Sequence, residues 1–303
     1  MYDWTNKVVV LTGGASGMGR SFITHVLSHG GIVSFGDINT ALSKSLLLQV
    51  HSSAPRLVSR LLFTKTDIRD ANQVRHLFDR TKEVFGKIDC LLCVAGVNLP
   101  DSFLPPAEAR PATANMLNLE INLIGTINTV YAGLSYLKSG ASIVVIASTA
   151  GIYPSSVQPL YSASKHGLIG FSRSLAPILP EGQRIFVLAP STYLPPHQQS
   201  TSGLKMSGQM DNSGDDDIFT KVIRNTLGFV EMSSITKVLD ESLESAQSGQ
   251  VIEINPTAVQ SVAFPVPTDK ITLMENSLRY HVCGIEEKSA GDNTKVKEEA
   301  VND

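Results

Sequence analysis

The stretch "KVVVLTGGASGMG", residues 7–19, constrains the fold of this chain more than any other. Its first half is a continuous apolar run, suited to a strand buried on both faces. Its second half places glycines at 13, 17 and 19. "GRSFITHVLSHG" then follows with helical spacing, which puts Phe22, Val26 and Leu27 on one side. A buried strand that runs through a glycine turn into an amphipathic helix is the start of a βαβ unit.

The remaining sequence continues that pattern. Short apolar runs predict strands at 31–37, 60–67, 87–96, 141–148, 184–189 and 250–255, and 3.6-residue periodicity predicts helices at 70–86, 113–138 and 160–179. Strands alternating with helices argue for an α/β fold with helices on both faces of the sheet. Right-handed crossovers then give a doubly wound parallel seven-stranded sheet, a Rossmann fold, in a single domain over residues 1–256. Residues 190–217 are polar and rich in Gly and Ser, and read as a long loop where a substrate lid sits. Residues 257–283 read as a C-terminal extension with scattered apolar groups, and the charged tail 284–303 as disordered.

Charge and composition exclude several function classes. A net charge of −3 gives no electrostatic case for nucleic acid or an anionic membrane surface. No apolar run approaches the ~20 residues of a membrane span. The N-terminal residues do not read as a signal peptide. Three cysteines are too few for a disulfide framework, so a reducing, cytoplasmic setting is expected. Cys90 and Cys93 form a C-x-x-C inside a predicted strand, and read as core thiols. His25 and His29 read as a solvent-facing pair on the first helix, with no third ligand to make a metal site.

The glycine turn points to a phosphate. Gly13 permits the sharp exit from the strand, Gly17 lets backbone approach a pyrophosphate, and Gly19 lets the helix pack close to the sheet. The helix start directs free N–H groups and about half a unit of positive charge at that ligand. Asp37, at the end of the second strand, is placed to accept hydrogen bonds from ribose hydroxyls and to repel a 2′-phosphate. Ser16 and Ile38, where a cation would meet that phosphate, are uncharged. Together these favour NAD, with NADP as the alternative. Asp67, ending the third strand, reads either as a partner for the adenine amino group or as a cap of the next helix.

"LYSASKHG", residues 160–167, sets Tyr161 one helical turn before Lys165. Hydride transfer at an alcohol carbon needs a group to take or give the hydroxyl proton. A phenol has a pKa of about 10, too high for a base at neutral pH. A nearby ammonium favours the phenolate and lowers that value. Ser148, at the end of the fifth strand, is placed to donate to the substrate oxygen.

Taken jointly, these residues resemble the short-chain dehydrogenase/reductase family. The resemblance rests on "TGGASGMG", Asp37, "TDI" (66–68), "AG" (95–96), Asn122 in "INLIG", Ser148, and "YSASK" (161–165), and it covers about residues 5–255. It implies an oxidoreductase acting on a small alcohol or ketone. Tyr161, Lys165, Ser148 and Asn122 would be catalytic, with Lys165 also bonding the nicotinamide ribose and Asn122 holding a relay water. It extends the nucleotide contacts from Gly13, Ser16, Gly17, Gly19, Asp37 and Asp67 to Met18, Ile68, Ala95, Gly96, Pro190, Thr192 and Tyr193. It also implies a homodimer or homotetramer formed through helices 113–138 and 160–179.

Three positions depart from the family pattern: Val94 replaces an asparagine, Ser191 a glycine, and Pro195 a threonine, for which Thr192 is a substitute. They bear on cofactor affinity more than on proton transfer. They keep open a second reading, a cofactor-binding module with little turnover. His197 in the long loop is a candidate substrate contact.

Overall fold

The computed structural model describes residues 1–99, 114–156, 158–193 and 228–263. The substrate-side residues 100–112, the part of the long loop beyond residue 193 (with Pro195 and His197), the extension beyond residue 263 and the tail 284–303 lie outside them.

Strands β1 (Val8–Thr12), β2 (Ile32–Asp37), β3 (Leu61–Lys65), β4 (Cys90–Cys93), β5 (Ser142–Ile146), β6 (Arg184–Pro190), β7 (Val251–Ile254) and β8 (Val259–Val262) form one sheet in the order β3-β2-β1-β4-β5-β6-β7-β8. The first seven run parallel, and β8 pairs antiparallel with β7 through Glu253↔Gln260. The expected seven strands are therefore eight. Residues 259–262, assigned from sequence to an extension, return to the sheet edge as β8.

Period-two alternation explains the two layers. Every residue of β1 is buried, with Val9 and Leu11 entering one apolar core and Val10 the other. Helices α1 (Gly17–Ser28), α2 (Thr40–Ser53) and α7 (Met232–Ser245) cover the first face with Phe22, Leu46 and Ile235. Helices α3 (Ala71–Phe85), α5 (Thr126–Gly133) and α6 (Pro159–Leu175) cover the second with Phe78, Val130 and Leu168. Asp70 caps α3 by accepting from Asn72 N and Gln73 N, so Asp67 is not that cap. Cys90 and Cys93 fall in opposite cores. Burial pushes both thiols up, Cys93 to about 12, so neither is a reactive thiolate.

Three more expectations need correction. The continuous helix over 113–138 is instead α4 (Leu117–Leu119), a π-helical turn (Glu120–Gly125) and α5. Two helices, α2 and α7, have no counterpart among the predicted elements. In α2 only Ser43 and Leu46 are buried, so it lacks a wide apolar stripe, whereas Ile235, Val238, Leu239 and Leu243 of α7 carry a legible one. His25 is not solvent-facing: its side chain is 14% exposed and its Nε2 lies 3.0 Å from Asp240 Oδ1.

Candidate active site

Sheet order reverses about β1 and β4, and a cavity of about 700 Å³ opens there at the carboxyl ends of the strands. That volume lies in the range of small-molecule and cofactor pockets. Its wall includes the glycine turn, Asp37, Asp67, Gly96, Ser148, Tyr161, Lys165 and Tyr193. The topology thus brings every predicted catalytic residue but Asn122 to one cavity wall, and Asn122 lies directly behind it.

The glycine turn is shaped by backbone proximity. Gly13 has φ 76°, and a Cβ there would lie 2.6 Å from Ala95 Cα. A Cβ on Gly19 would lie 2.1 Å from the Gly13 carbonyl oxygen. Both distances forbid a side chain, so the turn presses against β4 and folds tightly into α1. Asp37 holds the turn from the next strand, its Oδ2 accepting from Ala15 N at 2.9 Å and its Oδ1 from Asn39 N at 2.8 Å. Asp67 lies on the cavity wall with its carboxylate paired to Arg69, whose guanidinium lowers its pKa. Arg69 also lines the cavity, and nothing about its position was legible from spacing. The Tyr193 hydroxyl reaches the start of α1, where it sits 2.8 Å from where a Gly17 Cβ would be.

Tyr161 is held from two sides. Ser148 starts a 3₁₀ turn (Thr149–Gly151), its Oγ accepting from Ala150 N at 3.2 Å. A Cβ on Gly151 would meet Lys165 backbone at 2.7 Å, and Ser162 Oγ donates to Ala150 O at 2.7 Å. This turn therefore packs directly on α6, and the Ser148 and Tyr161 hydroxyls share a hydrogen bond. Lys165 Nζ lies 5.6 Å from the centre of the Tyr161 ring and donates to Ile146 O at 3.0 Å. Burial lowers the Lys165 pKa to about 8. Burial also raises the Tyr161 phenol above its usual value, and the Ser148 bond offsets this only in part. The expected net lowering of the phenol is thus not observed: desolvation sets the direction.

Asn122 is fully buried in the π-helical turn. Its Oδ1 accepts from Val97 N at 2.7 Å, while its Nδ2 donates to Val97 O at 2.8 Å and Ser164 Oγ at 3.2 Å. Both amide hydrogens are committed, so its side chain clamps the segment after β4 to α6. The departure at Val94 leaves the turn linked to β1 through Ala95 N, which donates to Thr12 Oγ1 at 3.3 Å. The substrate end is completed by Val97, Asn98, Tyr153, Ser155, Gln158 and Phe229. Tyr153 and Phe229 carried no motif, and only their position in the fold reveals them.

Comparisons with known proteins agree with this fold. The sequence pattern of the family described as short chain dehydrogenase matches residues 7–205. The chain is 30% identical over 267 residues to the 15-hydroxyprostaglandin dehydrogenase [NAD(+)] of Rattus norvegicus, covering 85% of this chain and 93% of that protein. It is 30% identical over 179 residues to the cis-1,2-dihydrobenzene-1,2-diol dehydrogenase of Pseudomonas putida, covering 56% of this chain and 60% of that one. Among solved structures, levodione reductase superposes with a TM-score of 0.69 at 27% identity, covering 84% of this chain and 97% of that one. A short-chain dehydrogenase/reductase from Burkholderia phymatum in complex with NAD has the same fold, with a TM-score of 0.67 at 21% identity over 85% of this chain and 92% of that one. With the matched pattern spanning the glycine turn, Asn122, Ser148 and the Tyr161–Lys165 pair, the chain belongs to the short chain dehydrogenase family.

Proposed function

We propose that this protein is an NAD-dependent oxidoreductase that interconverts a secondary alcohol and a ketone, with Tyr161 as general acid/base. The observation that carries this reading is the hydrogen bond between Tyr161 and Ser148 inside the cavity that the glycine turn lines, with Lys165 below the phenol ring. The glycine turn suits a pyrophosphate because three side chains are missing where backbone must come close. Asp37 suits a free ribose better than a 2′-phosphate, and relatives named for NAD(+) support that choice. A bound nicotinamide would supply or take up the hydride at the carbinol carbon.

The chain's own residues handle the proton. Ser148 donates to the substrate oxygen and stabilises the charge that develops there. Tyr161, whose phenol burial holds above its usual value, gives its proton to that oxygen during ketone reduction. In alcohol oxidation the phenolate takes the hydroxyl proton. Lys165 supplies the nearby ammonium that supports the phenolate. Asn122 acts as a positioning residue, fixing Val97 on the substrate side and Ser164 on α6.

The same reading includes self-association as a homodimer or homotetramer through residues 113–138 and 160–179; Ile124 and Tyr131, in the first of these, are 51% and 78% exposed. It also includes a reducing compartment for the buried thiols Cys90 and Cys93. No helix among the described residues is long and apolar enough to cross a membrane.

One observation favours the second reading, a nucleotide-binding module with weak turnover. The Tyr193 hydroxyl sits at the start of α1, 2.8 Å from where a Gly17 Cβ would be, on the ground that a phosphate would use. Fluorescence titration with NADH, together with a screen of secondary alcohols and ketones on wild type and Tyr161→Phe, separates the two. Turnover that disappears in Tyr161→Phe while NADH still binds supports the enzyme. Binding with no turnover in wild type supports the module.

A further inference from the structure

Glu253 is a charged group in an unusual place. It sits in β7, 2% exposed, and three side chains converge on it. Tyr153 Oη donates to its Oε2 at 3.0 Å, Gln260 Nε2 to the same oxygen at 2.9 Å, and Asn255 Nδ2 to Oε1 at 2.6 Å. Burial alone would raise its pKa, but these three donors outweigh burial and hold the carboxyl below its usual range. Gln260 reaches it because β8 places Gln260 directly opposite Glu253 in the hairpin. Burying a carboxylate is costly unless it is paired or fully hydrogen-bonded. Here part of that satisfaction comes from a residue of the cavity wall.

Tyr153 follows the 3₁₀ turn that begins at Ser148, and it lines the cavity with Ser155 and Gln158. Its ring is 51% exposed, so apolar burial does not fix it in place. The bond to Glu253 does, from a point 100 residues away in sequence.

We propose that Tyr153 is a substrate-positioning residue whose ring, tethered by Glu253 and the β7–β8 hairpin, forms a fixed wall of the substrate end and sets how large a substituent on the carbinol carbon is accepted. This rests on the oxidoreductase reading. It gives β8 a function: the strand completes the anchor for a wall of the cavity. A rigid wall discriminates substrates by chain length through binding, whereas an unhooked ring samples several rotamers and must be ordered by each substrate.

The test uses the full chain with NAD and a series of unbranched secondary alcohols of increasing length. Tyr153→Phe keeps the ring and removes the tether. It should raise KM for the longest alcohols about tenfold, the size expected for one hydrogen bond to a charged group, with a smaller effect on kcat. The shortest members should respond least. Glu253→Leu should reproduce that chain-length profile, and Tyr153→Ala should shift the optimum to bulkier substrates. A parallel titration of long-chain methyl ketones into NADH-bound Tyr161→Phe, with and without Tyr153→Phe, followed by nicotinamide fluorescence, reads the same wall without turnover. If wild type turns over no alcohol, the oxidoreductase reading fails, and the ketone titration still decides the tether. A loss of thermal stability in Tyr153→Phe and Tyr153→Ala with an unaltered chain-length profile overturns the proposal, as does the absence of chain-length dependence in either assay with Tyr153 intact.

Discussion

Trp4 Nε1 donates to Asp240 Oδ1 at 2.8 Å, joining residues 236 positions apart in the core. His25 Nε2 lies 3.0 Å from the same oxygen, so one carboxylate ties the N-terminal segment, α1 and α7 together. Because α1 carries the glycine turn, this contact also fixes the floor of the cavity.

Asp240→Ala should therefore destabilise the fold by about 2–4 kcal/mol, since it strands a buried indole N–H and a largely buried histidine. Chemical denaturation followed by the emission of Trp4, the chain's single tryptophan, measures it. A loss under about 1 kcal/mol, the size of an ordinary substitution, would show that the contact is not a structural anchor.

Lys165 makes stability depend on pH. Its folded pKa of about 8 lies below the usual 10.5, so between these values the unfolded chain holds a proton that the folded chain has released. Stability must then rise with pH across that interval, with the full burial penalty present below it. Lys165→Met should stabilise the protein at about pH 7 by roughly 1–2 kcal/mol, after allowing for the lost bond to Ile146, and the gain should shrink toward about pH 9.5. Measurements stop there because the raised Tyr161 phenol acts in the opposite sense above its usual value of 10.0. A gain that is equal at both ends of the range contradicts the assignment.

On the proposed reading the Tyr193 hydroxyl competes with the nucleotide at the start of α1. Tyr193→Phe keeps the ring but removes that hydroxyl, and NADH should bind about three- to tenfold more tightly, the equivalent of one neutral hydrogen bond no longer displaced. Weaker binding in the variant would mean that the phenol contacts the nucleotide instead of competing with it. Equilibrium fluorescence titration distinguishes the two.

Asp37 has a double task, and its removal should show both. Asp37→Ala should weaken NADH binding about tenfold or more and narrow the preference over NADPH, because the repulsive carboxylate is gone. Thermal stability should also fall, since Ala15 N and Asn39 N lose their acceptor. An unchanged ratio of the two affinities would refute its role in discrimination.

The layered fold and many of the residues that line the cavity were legible because neighbours along the chain supply them. The buried run of β1, the glycine positions, the carboxylate ending β2 and the one-turn spacing of Tyr161 and Lys165 are all local. Local pattern also failed locally. The amphipathic spacing of 113–138 is compatible with an α-helix, yet a π-helical turn there sets Asn122 against Val97 and Ser164, which no periodicity encodes.

Sequence alone therefore determined the parallel strands of the sheet, the glycine turn and the one-turn pairing of Tyr161 with Lys165, since backbone sterics and helical period act over a few residues. Only tertiary structure decided that burial raises the Tyr161 phenol, that β8 returns to the edge, and that Tyr153, Tyr193 and Arg69 reach the cavity. Those outcomes depend on desolvation and on contacts between segments up to a hundred or more residues apart, and both appear only once the chain is packed.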